Sequence, residues 1–279
     1  MRLRSFSLTI VAFVLVFGSM TSSSASAAPA DAPVDLVLGD SLAASFQPNG
    51  DLRHGYAEQL FQLEQAAIPD LRLVKLACPG ETTGSIDRSR HLCPYPAGSQ
   101  LDQAVAVLQS RDVAFVTLQI GSNDVFRCFR FRRATFDQAC VDALLPKLSD
   151  RLASIVQTLQ SAAPGVPIIG SNYYDPLLVT WTFGVDPADV ASIEDTWEAF
   201  NDALNDVYAS LGVPVADVEG AFSASDFATI VHVRHLGDVP INVARVCQWT
   251  YACSRRGFDP HPNTIGYAVM TRALEAALP

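Results

Sequence analysis

Apolar and polar positions along the chain fall into two alternating patterns. Short runs rich in branched residues read as buried strands: Val34 to Leu38 (ending in Gly39), Leu71 to Ala77, Val113 to Ile120, Val166 to Gly170 and Val213 to Val218. Between them lie segments with helical spacing: Gly55 to Ala67, Leu101 to Leu108, Val141 to Leu159 (with Pro146 near its start), Asp189 to Leu211 and Thr264 to Leu278. The stretch Ala163-Pro164-Gly165 stops the long third helix. Strand and helix in alternation predict parallel strands joined by right-handed crossovers, with helices on both faces of the sheet. The expected fold is α/β: a single-domain, three-layer α/β/α arrangement around a mostly parallel five-stranded sheet. In such sheets ligands bind beyond the carboxyl ends of the strands.

The first 27 residues stand outside that pattern. Arg2 and Arg4 precede an apolar run from Leu8 to Phe17 broken only by Thr9, and Ala25-Ser26-Ala27 fits a small-residue cleavage site. Residues 1–27 are therefore expected to be a signal peptide, and residues 28–279 a single secreted domain with no stable membrane anchor. An uncleaved anchor is the rival reading, and the shortness of the run counts against it. Cleavage after Ala27 removes two arginines and no acids, leaving 252 residues and taking the net charge from −10 to −12.

Composition narrows the partners. With 49% hydrophobic and 17% charged residues the chain can bury a large core. Its acidity gives the wrong long-range field for a polyphosphate, so no nucleic-acid partner is expected. Six cysteines allow 15 pairings. Proximity in sequence favours Cys78 with Cys93, Cys128 with Cys140 and Cys247 with Cys253. No metal-ligand spacing such as C-x-x-C appears, and loop-closing disulfides suit an exported chain.

Candidate chemistry sits where strands end. The first strand runs into Gly39-Asp40-Ser41-Leu42, the second into Cys78-Pro79-Gly80-Glu81-Thr82, and the third into Gly121-Ser122-Asn123-Asp124. Just before the last helix lies Phe258-Asp259-Pro260-His261-Pro262-Asn263. Each block alone is weak: a turn signal, or a histidine that caps a helix. Together, in this order, they supply a nucleophile, oxyanion donors and a general base, the parts that acyl transfer needs.

In these four blocks, spread over residues 39 to 262, the chain resembles the SGNH (GDSL-type) hydrolase superfamily. The resemblance implies the SGNH, flavodoxin-like form of the α/β fold. It implies Ser41 as nucleophile, His261 as general base, and an oxyanion hole made by the backbone N–H groups of Ser41 and Gly80 and the side chain of Asn123. The export signal and cysteine pairs look like those of secreted bacterial lipases and esterases of this superfamily.

One position departs from the pattern. The family block carries an aspartate three residues before the histidine, where this chain has Phe258; Asp259 stands two before His261 instead. Three groups compete to orient the imidazole: the Asp259 carboxylate, the Phe258 carbonyl, or a distant residue. Asp259 has a small edge, with a turn or N-cap role as its alternative.

Other residues carry less. Arg127, Arg130, Arg132 and Arg133 alternate with Phe126, Phe129 and Phe131. The plainer reading pairs these arginines with nearby acids over packed rings; the other makes a loop that attracts anionic headgroups or a lipid surface. His232 and His235 could share a helical face, but no third metal ligand is evident. His54 and His91 read as surface or hydrogen-bonded residues. Trp181, Trp197 and Trp249 read as packing, with Trp249 able to reach the site. Asp40 is expected to support the nucleophile turn or to cap a helix.

The leading expectation is a secreted monomeric serine esterase or lipase acting through a Ser41 acyl-enzyme on small-molecule or lipid esters, with no cofactor and no metal. A carbohydrate acetyl esterase is the alternative within the same chemistry. An α/β-hydrolase elbow, G-x-S-x-A at Gly39 to Ala43, conflicts with a nucleophile that follows the first strand. A catalytically dead binding protein on the same fold is the alternative from another class.

Overall fold

The structure is a computed structural model that describes residues 32–279; the expected signal peptide and its cleavage site at Ala27 lie outside the described residues. β1 (Val34–Gly39) is buried along its whole length, as a strand covered on both faces must be. The chain continues through α1 (Tyr56–Glu64), β2 (Arg72–Lys75), α2 (Gln100–Ser110) and β3 (Val113–Gln119). After β3 come the one-turn α3 (Ser122–Val125) and a hairpin of β4 (Phe129–Arg130) and β5 (Thr135–Phe136). The long α4 (Gln138–Ala162) leads to β6 (Ile168–Ser171), a 3₁₀ segment at Pro176–Phe183 and α5 (Pro187–Ser210). Then follow β7 (Val215–Ala216), α6 (Val218–Phe222), a hairpin of β8 (Ile230–Val233) and β9 (Gly237–Pro240), α7 (Ile241–Trp249) and α8 (Thr264–Ala277).

The main sheet has the order β2-β1-β3-β6-β7, and each neighbouring pair is parallel. This is the three-layer α/β/α architecture expected from the alternation of elements. One group of helices packs α1 on α8, and the other sets α4 between α2 and α5. The inward stripe of α4 is Val141, Leu148, Leu152, Ile155, Val156 and Leu159, at helical spacing. Pro146 is tolerated because it lies on the exposed side of that helix.

From β1 the chain crosses to β2 on one side, and from β3 to β6 on the other. Loops therefore diverge above β1 and β3 and leave a crevice there, at the switch point where such sheets bind ligands.

Two expectations need correction. The fifth strand shrinks from Val213–Val218 to Val215–Ala216. Pro214 has no N–H for the ladder, and the Asp217 carboxylate accepts the Gly220 N–H at 2.8 Å to start α6. His232 lies in β8 and His235 in the turn after it, so they share no helical face. His232 Nδ1 instead meets Asp238 at 2.8 Å across that hairpin.

Candidate active site

Gly39 ends β1 at φ +134°, and a Cβ there would lie 1.9 Å from the Gln119 carbonyl oxygen of β3. Only glycine lets the two strand ends approach so closely. The chain then turns sharply: the Ala44 N–H donates to the Asp40 carbonyl at 2.9 Å and the Phe46 N–H to the Ser41 carbonyl at 2.9 Å. This turn presents Ser41 at the crevice.

Asp40 is fully buried beneath it. Its carboxylate accepts the Leu42 N–H at 2.9 Å, the Ser122 hydroxyl at 2.9 Å and the Tyr173 hydroxyl at 2.8 Å. Burial pushes its pKa up to about 6, and those three bonds oppose a larger rise. Asp40 thus ties the Ser41 turn to the loop after β3, the supporting role expected of it.

His261 comes from the far end of the chain, and its Nε2 lies 2.9 Å from Ser41 Oγ. Its Nδ1 lies 2.7 Å from Asp259 Oδ1, and the same oxygen accepts the His261 backbone N–H at 3.0 Å. Of the three candidate partners for the imidazole, the structure brings up Asp259. Partial burial acts to raise the pKa of that carboxyl, but hydrogen bonds from the ring and backbone of His261 outweigh it and hold it below the usual range. Asn263, not His261, caps α8, accepting the Ile265 and Gly266 N–H groups. Phe46 packs against the imidazole with ring centroids 4.6 Å apart.

The opposite wall carries hydrogen-bond donors. Gly80 turns at φ +76°, a region open to glycine. Among the described residues neither the Ser41 nor the Gly80 backbone N–H donates a hydrogen bond to the protein. Asn123 Nδ2 donates to the Glu81 carbonyl at 2.9 Å, which fixes the amide and leaves its other N–H free. Ser41, Gly80, Asn123 and His261 all line one cavity of about 170 Å³. Such an arrangement can attack a carbonyl from one side and hold the resulting oxyanion from the other.

Several supporting residues have no sequence signature. Gln100, at the start of α2, accepts the Gly39 N–H at 2.6 Å and donates to the Gly39 carbonyl at 3.1 Å and to Glu81 at 3.3 Å. One buried amide therefore braces both the nucleophile turn and the Gly80 turn. Asp124 accepts the Thr83 N–H at 2.8 Å and its hydroxyl at 3.1 Å, joining the loops after β2 and β3. Glu81 is buried and pairs with Arg90 at 3.1 Å.

The remaining lining is apolar and aromatic, including Leu42, Phe46, Phe126, Pro176 and Trp197. Trp197 is thus the tryptophan at the site. Trp249, expected as the one able to reach it, instead packs edge-on against Phe222 and faces another groove. The disulfides are those favoured by proximity: Cys78–Cys93 brackets the Gly80 turn, Cys128–Cys140 ties the β4–β5 hairpin to α4, and Cys247–Cys253 closes the loop beside His261. In that last loop the Tyr251 N–H donates to the His261 carbonyl at 2.9 Å. His54 bonds Asp51 at 2.7 Å and His91 is exposed, both away from the cavity.

Residues 37–269 match the profile of the GDSL-like lipase/acylhydrolase family. No curated protein sequence matches the chain. Among solved structures, phospholipase A1 from Streptomyces albidoflavus is similar at 19% identity and a TM-score of 0.58, over 88% of this chain and 100% of that one. A variant of an acetyl xylan esterase from Geobacillus stearothermophilus is similar at 17% identity and a TM-score of 0.55, over 88% and 94%. A lipase from a goat rumen metagenome is similar at 15% identity and a TM-score of 0.56, over 88% and 97%. At these identities the likeness is one of fold.

Proposed function

The chain belongs to the GDSL-like lipase/acylhydrolase family, and on that premise we propose that Ser41, His261 and Asp259 carry out ester hydrolysis through an acyl-enzyme. The observation that carries the reading is the unbroken line from Asp259 through His261 to Ser41, at 2.7 Å and 2.9 Å. A serine hydroxyl is a weak nucleophile until a base takes its proton. His261 Nε2 takes the Ser41 proton as Oγ bonds to the ester carbonyl carbon. Asp259 keeps the other ring nitrogen protonated and stabilises the imidazolium that forms.

The tetrahedral oxyanion then lies among the Ser41 and Gly80 N–H groups and the Asn123 amide, each such donor being worth about 3–4 kcal/mol in the transition state. His261 returns its proton to the departing alkoxide, leaving acyl-Ser41 and the alcohol. Water, deprotonated by the same imidazole, attacks the acyl carbon; the proton returns to Ser41 and the acid leaves.

The wall of the cavity favours apolar esters. Its polar groups outside the reacting set are already engaged: Tyr173 and Ser122 donate to Asp40, and Tyr174 donates to the Pro260 carbonyl. Few hydrogen-bonding groups remain for a sugar, while Phe126, Trp197 and Pro176 offer an apolar surface. An apolar cavity of about 150 Å³ holds a benzene-sized group. The cavity here therefore seats a short acyl chain or the first carbons of a longer one. The disulfides suit action outside the cell, after removal of residues 1–27.

The test compares wild type with Ser41→Ala on p-nitrophenyl esters from acetate to palmitate. Turnover by wild type and its loss, by at least about 10³-fold, in the variant is expected. Equal turnover by both proteins would remove Ser41 from the mechanism.

A further inference from the structure

A second groove, of about 300 Å³, lies beside the Ser41 cavity and is lined in part by Phe131, Arg132, Arg133, Leu177, Phe183 and Phe258. It shares two segments with the site. Pro176 lines the Ser41 cavity and Leu177, the next residue, lines the groove. Phe258 lines the groove and precedes Asp259, the partner of His261. The two cavities are therefore built on common chain segments.

The groove carries aromatic rings in solvent. Phe131 is 59% and Phe183 66% exposed. Phe131 stands edge-on to buried Phe129, at 4.9 Å between centroids, and leans towards Phe258 at 5.8 Å. Its place at the tip of the β4–β5 hairpin is held firmly. Cys128–Cys140 ties the base of the hairpin to α4, and Ala134 completes the turn at φ +47°, where a non-glycine residue is strained. The cross-link limits the backbone freedom that the hairpin loses on binding.

The same tip is cationic. Arg130 is neutralised by Asp137 at 2.8 Å, as the plainer reading of this segment expects. Arg132 and Arg133 are exposed and make no ion pair among the described residues. Asp186, which follows Val185 of the groove wall, caps α5 through the Ala188 N–H and forms no ion pair with either arginine. On a chain of net charge −10 two unpaired arginines between exposed rings act locally, since charges further away than about 10 Å are screened. Cations beside protruding aromatics are the chemistry that binds an anionic lipid surface, heads to the charges and rings to the acyl boundary.

We propose that Phe131, Phe183, Arg132 and Arg133 form a docking surface for an anionic lipid layer, which holds the mouth of the Ser41 cavity against it. This deepens the reading of the site as one for apolar esters and rests on it for its purpose, although not for its detection.

The test uses the mature Ser41→Ala chain, so that no lipid is consumed, sedimented with vesicles of phosphatidylglycerol or of phosphatidylcholine. Binding to phosphatidylglycerol well above that to phosphatidylcholine is expected. The added pair Arg132→Gln and Arg133→Gln should weaken it about thirtyfold, at about fivefold per cation. The added pair Phe131→Ser and Phe183→Ser should weaken it comparably. In the Ser41 background, both double variants should hydrolyse a soluble short ester within twofold of wild type, which shows that they fold. Equal binding to the two lipids, or unchanged binding by either double variant, overturns the proposal. If the serine pair binds fully and dextran sulfate competes, the patch is a site for soluble polyanions and the lipid reading fails. A wild type that binds these vesicles yet cleaves no ester would leave the docking surface standing and refute the proposed reaction instead.

Discussion

Asp259 Oδ1 lies 2.7 Å from Nδ1 of His261 and also accepts the backbone N–H of that histidine at 3.0 Å. One oxygen both closes the two-residue turn and meets the ring, so an aspartate two positions before the histidine reaches the imidazole. Phe258, at the position where the family carries its acid, is thereby free to line the neighbouring groove.

Asp259→Asn keeps an oxygen for the turn but loses the charge that stabilises the imidazolium. Its kcat is expected to fall about 10²- to 10⁴-fold with little change in KM, the larger figure being that of the serine-protease case. Steady-state kinetics on a soluble ester checks this. A loss under threefold would hand the orienting role to another group.

Asn123→Ala removes one of the three proposed oxyanion donors, together with the Nδ2 hydrogen bond to the Glu81 carbonyl. The expected effect is a drop of about 10²- to 10³-fold in kcat at nearly constant KM. A rise in KM alone would mean that Asn123 binds substrate rather than the oxyanion.

Gln100→Leu preserves much of the volume of a fully buried side chain but strands the Gly39 N–H and one oxygen of Glu81, while the Gly39 carbonyl keeps the Cys78 N–H at 3.0 Å. Unmet buried polar groups cost about 1–3 kcal/mol each, partly relieved by local movement. A net loss of about 3 kcal/mol lowers Tm by about 6–12 °C in a domain of this size. Activity should also fall at temperatures where the variant is folded, because the Ser41 and Gly80 turns lose their common brace. Thermal unfolding followed beside kcat separates the two effects.

Burial raises the pKa of Asp35 in β1 to about 8, with Glu64 and Glu58 adding to the shift, and both its oxygens lack a partner in the described structure. A carboxyl whose pKa is higher folded than unfolded binds its proton more tightly in the native state. Its contribution to stability is full below about pH 4 and is lost as pH rises towards 8. Asp40 and Glu219, raised mainly by burial to about 6 and about 7, act in the same direction. Tm is expected to decline from pH 5 to pH 9, and Asp35→Asn should flatten that decline by several degrees. A variant that tracks wild type across this range would show that Asp35 does not ionise there.

The Cys78–Cys93 bridge spans the turn that presents Gly80, outside the strands of the main sheet. Replacing both cysteines by serine should lower kcat more than tenfold while costing about 2–4 kcal/mol of stability. Activity should be lost at reductant concentrations that leave the far-ultraviolet circular dichroism intact. Simultaneous loss of activity and structure would tie the bridge to the fold as a whole.

The main elements were legible because their signals are local. Val34 to Leu38 and Val113 to Ile120 declare buried strands by composition, and the cysteine pairs close short loops in sequence. The four motif blocks gave the members of the site because each lies directly after a strand or before a helix, where parallel sheets place ligands. Tertiary structure decided whatever depends on residues far apart. Ser41 and His261 meet across 220 positions, and Gln100 reaches Gly39 across 61; no window of sequence encodes either contact. Trp197 rather than Trp249 lines the cavity because α5 packs beside α3 and the Pro176 segment, while α7 turns its tryptophan towards Phe222. Periodicity states which face of an element is buried; the register of the sheet and the packing of helices on it select the neighbour that the face meets.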